Sequence, residues 1–372
     1  MFKAICISIS ISFFLTCEDK PKEEEIVLPV VHQYTSYFTG ETMDKKTSPK
    51  GGVCLMGGSS EDDNAMRWFL NQSDGGKGGV CLMGGSSEDD NAMRWFLNQS
   101  DGGDILVLRA SGSNGYNDYM YSDLGVTINS VESIVVKNKD ASYDTTLHRK
   151  IKQAEGIWFA GGNQWNYVNY WRNTPIDSLM NVGINNRNIV MGGTSAGMAI
   201  LGEYIFNAKN GTVTSEEALG NPYREDVSID SINFIDVKYL EHVIMDTHYS
   251  QRLRQGRHVA FMARLVKDFG VNAKGIAADE RTAITIGMDG IAKVYGESNK
   301  AFFIQMTGPA PESCVANQPL NWSADSTALK VYEVKGTSNG SATFNLDDWE
   351  TGSGGAWHHW FVIDGKFNSK SF

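Results

Sequence analysis

The sequence predicts an α/β protein with a mostly parallel sheet covered by helices on both faces and a β-rich C-terminal extension. Strand-sized and helix-sized runs alternate from the first third of the chain to about residue 286, the pattern of strands joined by crossover helices. Many of the strands, such as ILVL (105–108) and GIWFA (156–160), are apolar throughout rather than at every second residue; such a strand is buried on both faces. Beyond residue 310, strand candidates lie among Gly, Ser and Asn loops. With 372 residues the chain can bury a full core, one large domain plus extras. A net charge of −11 and the lack of a long basic stripe argue against nucleic-acid binding. Five cysteines give neither a disulfide framework nor zinc spacing. No metal and no cofactor are expected.

Residues 1–17 carry one lysine and an apolar, serine-laced run that is too short to span a bilayer and fits a signal peptide. Phe14-Leu15-Thr16-Cys17 resembles a lipobox with Cys17 as the lipidated residue, and Glu18-Asp19 resembles a surface-export signal. The expected location is the outer membrane or cell surface, with the lipid anchor as the sole membrane contact. Residues 18–49 read as tether and lead-in.

Residues 50–76 and 77–103 are the same 27 residues, KGGVCLMGGSSEDDNAMRWFLNQSDGG, twice without a difference. The unit reads as strand (Gly79–Met83), glycine turn and helix (Glu88–Leu97). Solenoid repeats drift and come in larger numbers, so two undiverged copies read as a recent duplication, an inserted segment or an assembly error. A sheet has one slot for this strand. Short connections favour the second copy there, leaving the first extruded or packed on an edge.

Strands are then expected at Asp104–Gly112 (running into a loop), Val131–Val136 and Gly156–Ala160, and helices at Thr145–Ala154, Trp165–Trp171 and Ser178–Ile184. Asn188–Met191 suits a strand and Ala196–Tyr204 a helix. Glu241–Asp246 is a further strand, followed by an arginine-bearing helix to about Lys267. Gly275–Asp279 is a strand, and Ala283–Ile286 with Ala292–Tyr295 a hairpin around Gly290. Residues 50–310 form the catalytic α/β domain in this reading. Residues 311–372, with strands at Ala328–Val334 and His359–Ile363, form an extension packed on the core.

Gly193-Thr194-Ser195-Ala196-Gly197 fits the G-x-S-x-G elbow, in which a sharp strand-to-helix turn pushes a nucleophilic serine out of the sheet. In such sheets the active site lies at the C-terminal strand ends, and Ser195 and the Gly161–Gln164 loop both follow strands. The N–H groups of Ala196 and of Gly161-Gly162 could hold an oxyanion. A serine needs a base. Of seven histidines, His248 follows a strand as Ser195 does; His242 reads as packed in that strand, and His258 lies in the helix. His32, His148, His358 and His359 lie early or late in the chain. The acid that orients the imidazole could be Asp279 or Glu280 at a strand end, or Glu216 or Glu217 after the elbow helix. Arg252, Arg254 and Arg257 crowd a helix start, where the macrodipole favours acids; that mismatch suggests use, since arginine grips carboxylates bidentately. Asp246 could hold one of them or bind a substrate cation.

Together, GGTSAG (192–197), GGNQ (161–164), D-x-H-[FY]-S-x-R-x-R-x-x-R (246–257) and G-I-x-x-D-E-x-T-A (275–283) resemble the cyanophycinase family, to which the aspartyl dipeptidase peptidase E is related. The LMGGSSEDD turn is similar to the family's first strand and loop. The resemblance implies a doubly wound, class I glutamine amidotransferase-like (flavodoxin-like) fold. It implies a serine exopeptidase acting on β-aspartyl-arginine or other aspartyl peptides through an acyl-enzyme. Ser195 is then the nucleophile, His248 the base and Glu280 the acid, with Glu217 the alternative acid. Gln164, Asp246, Arg252, Arg254 and Arg257 match substrate-binding residues. The expected partner is a peptide substrate, and a homodimer is left open. Thr247 stands where the family has glutamine, and a leader is unlike an enzyme of internal granules; both put the substrate in question. Two rival readings are a non-catalytic surface binding protein of the same fold and an α/β-hydrolase-type esterase using His358 or His359 with Asp325 or Asp347.

Overall fold

The structure, a computed structural model, describes residues 32–56, 79–83, 88–231 and 234–372. The leader with Cys17 and most of the first repeat lie outside the described residues. The elements run β1 (Tyr34–Gly40), β2 (Gly52–Met56), β3 (Gly79–Met83), α1 (Asp90–Gln99), β4 (Asp104–Arg109), β5 (Ser130–Val136), α2 (Thr145–Gln153), β6 (Gly156–Phe159), α3 (Gln164–Trp171), α4 (Pro175–Asn186), β7 (Val190–Thr194), α5 (Ala196–Ala199), β8 (Tyr204–Phe206), α6 (Ser215–Gly220), β9 (Ile229–Ser231), β10 (Val243–Thr247), α7 (Gln255–Phe269), β11 (Lys274–Ala278), β12 (Ala283–Gly287), β13 (Ile291–Tyr295), β14 (Lys300–Met306), β15 (Leu329–Lys335), β16 (Ala342–Asn345), β17 (Gly352–Ser353), β18 (Gly355–Ile363) and β19 (Lys366–Ser371).

Among the described residues these strands form two mixed sheets, where the sequence suggests one that is mostly parallel. The first has the order β1-β5-β4-β6-β7-β2-β12-β13-β16-β17. Its centre, β5-β4-β6-β7-β2, is parallel, while β1 and β12 join it antiparallel. The second has the order β19-β18-β15-β14-β11-β10-β8-β9, with β8, β10 and β11 parallel. The C-terminal extension therefore adds strands to both sheets. β1 also shows that the lead-in is an edge strand for part of its length.

Local chemistry sets the helix starts. Asp89 accepts the Ala92 N–H ahead of α1, Asp144 accepts those of Thr146 and Leu147 ahead of α2, and Asn163 accepts that of Trp165 ahead of α3; these side chains satisfy N–H groups a helix leaves unpaired. Pro175 opens α4 with a φ already helical. β6 is wholly buried: Trp158 and Phe159 pack against Phe96 and Trp171, each such side chain contributing about 1.5–3 kcal/mol on burial.

Two expectations fail for physical reasons. The helix expected to run from Ala196 to Tyr204 is a single turn, and Tyr204–Phe206 is a strand of the second sheet. The aliphatic run suits a helix, but at Gly202 the chain passes so close to β10 that a Cβ would lie 2.7 Å from the Val243 carbonyl oxygen. The repeat slot also differs from expectation. Strands of both copies pair with β7 in the same register, Cys54 and Cys81 each opposite Gly192. The first copy makes the fuller set, five pairs to β7 and four to β12, against three and one for the second. Among the described residues the unit's helix, α1, is that of the second copy. The two strand sequences are identical, so side chains cannot choose between them. The lead-in meets the end of the second copy: Thr47 Oγ1 donates to the Ser100 carbonyl (2.8 Å) and Lys50 N to that of Gln99 (2.9 Å). These bonds deliver the chain into the sheet at Gly52.

Candidate active site

Ser195 leaves the buried strand β7 with φ 52° and ψ −112°, a conformation that L-residues adopt only where surroundings enforce it. The flanking glycines allow the turn. A Cβ on Gly193 would lie 2.5 Å from the Gly197 carbonyl, and one on Gly197 would overlap the Phe159 carbonyl oxygen. The Ser195 N–H donates to the Met56 carbonyl at 3.3 Å, tying the turn to β2.

His248 follows β10 and has φ 48°. Its Nε2 lies 3.0 Å from Ser195 Oγ, and its Nδ1 lies 2.8 Å from Glu280 Oε1, which follows β11. A carboxylate at Nδ1 holds that proton and leaves Nε2 as the acceptor facing the hydroxyl. Serine, imidazole and carboxylate thus form one hydrogen-bonded line. The line spans both sheets: β7 belongs to the first, β10 and β11 to the second. Both α5 and the Asp279–Thr282 segment are places where the chain passes between the sheets. His248 is only 7% exposed. Burial lowers its pKa below the ordinary value, the Glu280 hydrogen bond raises it, and the Arg252 and Arg254 charges lower it again; the balance is downward. The imidazole is therefore neutral at pH 7 and can accept a proton.

The other candidates are occupied elsewhere. Glu217 is exposed, completes a capping box with Thr214 at the start of α6 and pairs with Arg224 at 3.5 Å; it does not serve the imidazole, because a helix-capping carboxylate is committed to its own first turn. Glu216 is exposed on that turn. Asp279 turns away from the imidazole, to the N–H groups of Ser250 and Lys300. His258 is buried between the Tyr249 hydroxyl and the Ile244 carbonyl. His242 is exposed just ahead of β10 rather than packed within it. His32 pairs with Asp144, and His148 meets the Ser142 carbonyl. His358 and His359 lie on β18 opposite Val331 and Lys330, with His359 stacked on Phe372.

A cavity of about 300 Å³ opens on Ser195, with Gly162, Gln164, Ala196, Thr212, Asp246, Arg252, Arg254 and Arg257 in its walls. Gly161 adjoins it, the position of its missing Cβ lying 3.7 Å from Ser195 Cβ. Arg252 and Arg254 precede α7, Arg254 as its N-cap residue, and Arg257 lies in its first turn. Asp246 and Arg257 are both 3% exposed and pair bidentately, Nε to Oδ2 at 2.7 Å and Nη2 to Oδ1 at 2.5 Å. Burial alone would raise the Asp246 pKa, but Arg257 and Arg254 outweigh it and carry it down to about 2. Asp246 thus holds arginines, Arg257 through both oxygens. Arg254 gives Nη1 to the Thr247 carbonyl (2.7 Å) and, weakly, to Asp246 (3.4 Å). Among the described residues its buried Nε has no partner, so its Nε–Nη2 edge is available to a carboxylate. Arg252 is exposed. Gln164 donates to the Phe206 carbonyl at 3.2 Å.

Sequence reasoning missed the residues that hold Glu280: Gln251 Oε1 accepts its N–H (3.1 Å) and Asn299 Nδ2 donates to its carbonyl (2.7 Å). Gln251 lies inside the arginine-rich motif and was legible there; nothing in the sequence marks Asn299. Among the described residues no group of three or more His, Cys, Asp and Glu side chains is placed to hold a metal ion, and no helix is long and apolar enough to cross a membrane.

Residues 109–294, half of the chain, match the model of peptidase family S51. The chain belongs to peptidase family S51. The S51 match contains Ser195, His248 and Glu280. This S51 chain is 21% identical over 192 residues to a cyanophycinase of Trichormus variabilis, covering 51% of this chain and 59% of that protein. It is 26% identical over 186 residues to a cyanophycinase of Synechococcus elongatus, covering 50% and 51%. It thus spans between about half and three-fifths of the curated relatives it matches. Among solved structures, similarity extends to a peptidase from an acI-B1 Actinobacterium (TM-score 0.43, 14% identity, 57% of this chain and 83% of that one). A putative peptidase E protein from Listeria monocytogenes is also similar (TM-score 0.34, 15% identity, 52% and 86%).

Proposed function

We propose that the protein is a serine peptidase that hydrolyses aspartyl peptides, β-aspartyl-arginine among them, through an acyl-enzyme. The observation that carries this reading is the line Ser195 Oγ, His248, Glu280 facing a polar cavity, in a chain of the S51 family. His248 Nε2 takes the hydroxyl proton as Ser195 attacks the scissile carbonyl, then returns it to the leaving amine. Glu280 holds the tautomer and balances the imidazolium. The N–H groups of Ala196 and of the Gly161-Gly162 turn are the candidates for the oxyanion. The open edge of Arg254 suits the free carboxylate of the aspartyl residue. The elbow at the end of the central parallel run β5-β4-β6-β7-β2 supports a class I glutamine amidotransferase-like arrangement.

A serine-reactive fluorophosphonate probe should label Ser195 alone, located by peptide mass spectrometry, in a preparation that cleaves β-Asp-Arg and α-aspartyl dipeptides. A folded protein that neither labels nor cleaves would reject the reading in favour of a binding protein. The charges around His248 make a second prediction. Its depressed pKa places the acid limb of kcat/KM below the ordinary histidine value of about 6.5. Arg252→Gln removes a cation that disfavours imidazolium, so the limb should move to higher pH; an unmoved limb in the pH–rate profile would refute that electrostatic role.

A further inference from the structure

We infer that Asp279 is a positioning residue: one buried carboxylate ties the loop carrying His248 to the loop carrying Glu280 and so sets the imidazole–carboxylate hydrogen bond. The inference rests on the catalytic reading of that line. Consecutive side chains of an extended segment point to opposite sides. At the end of β11, Glu280 goes to the imidazole and Asp279 turns back into the protein. Asp279 Oδ1 accepts the Ser250 N–H at 2.8 Å and Oδ2 the Lys300 N–H at 3.0 Å, while its own N–H donates to the Lys300 carbonyl at 2.9 Å. Ser250 is two residues past His248, and Lys300 opens β14 beside Asn299, which holds the Glu280 carbonyl. One side chain therefore spans the three segments that fix the geometry.

The need for such a tie is visible in the backbone. The turn after β10 begins at His248 (φ 48°) and includes Leu253 (φ 50°), conformations that cost about 1–3 kcal/mol each and persist only where neighbours fix them. Besides Asp279, the β11 end reaches this turn through a 3.4 Å bond from Tyr249 N to the Ala278 carbonyl and through the Gln251 side chain. The residue type follows from the partners. Both are N–H donors, and an ionised carboxylate accepts through both oxygens. Asparagine would present an NH₂ group to one of them. Asp279 is 3% exposed and is not in the cavity wall, so it acts through His248 and Glu280 and not on substrate.

The test compares the parent with Asp279→Asn. The imidazole faces Arg252, Arg254 and Glu280. A loosened Glu280 bond removes the influence that raises the His248 pKa, so the acid limb should shift to lower pH. We expect kcat to fall about 10- to 100-fold with KM changed less than about threefold, the scale of a small misplacement of reacting groups. The low-field proton resonance of His248 Nδ1–H should weaken. In a His248→Ala background the same substitution should add no further loss. A lowered Tm with kcat, acid limb and resonance unchanged would overturn the proposal and leave a purely structural role. Hydrogen exchange on the unaltered protein gives a check that does not depend on the variant folding: the Ser250 and Lys300 amides should be protected like those of β11, and rapid exchange at Ser250 would overturn it. The resonance and exchange readouts need no substrate. Absence of probe labelling in the parent would instead reject the catalytic reading.

Discussion

Ser195→Ala should lower kcat/KM for an aspartyl dipeptide by about 10⁴-fold or more, the range found when a member of a serine–histidine–acid line is removed. The fold should survive. The strained φ of 52° is a backbone property that alanine tolerates no worse than serine, and the hydroxyl's partner among the described residues is the His248 ring. His248→Ala should cost a similar factor, and the double variant should be no worse than either single, because groups that act as one unit are not additive. Steady-state kinetics with a thermal melt on each variant would decide it. Turnover within tenfold of the parent in folded Ser195→Ala would sink the mechanism.

The second large effect is on stability. Asp246→Ala should destabilise the fold by about 3–5 kcal/mol, because it leaves the Arg257 guanidinium buried without its counter-ion. For a protein of this size that lowers Tm by on the order of 10 °C. The pH dependence has a definite sign. The unfolded carboxyl takes its proton near pH 4 and the folded one only near about 2. The stabilisation is full above about pH 4 and is lost as pH falls toward 2; the variant should lack that component of acid sensitivity. Replacing both partners by apolar residues, Asp246→Leu with Arg257→Met, should recover much of the loss, since neither charge is then stranded. A melt of Asp246→Ala within 2 °C of the parent would show that the pair is not structurally important.

Much of the site is legible in the sequence because it depends on local rules. The elbow is read from glycines whose Cβ atoms have no room, and the positions of His248 and Glu280 from the ends of apolar strands. What stays illegible are the choices made by long-range contact. The identical GVCLM strands carry no side-chain difference, so nothing within the repeat itself says which copy fills the slot. The elbow helix is cut short by the approach of the chain to Val243 at Gly202, a neighbour far along the sequence. The strand Lys300–Met306 has a readable apolar run, AFFI. Its role in holding Asp279 depends on the Lys300 backbone N–H and carbonyl, groups that every residue type carries. Glu217 and Glu280 are alike as isolated carboxylates; only capping geometry separates them.

Because Ser195 hangs from one sheet and His248 and Glu280 from the other, turnover on the proposed mechanism reports whether the two sheets are seated against each other. Gentle denaturation that shifts one sheet against the other should then abolish the proposed hydrolysis while circular dichroism still registers nearly all of the strands.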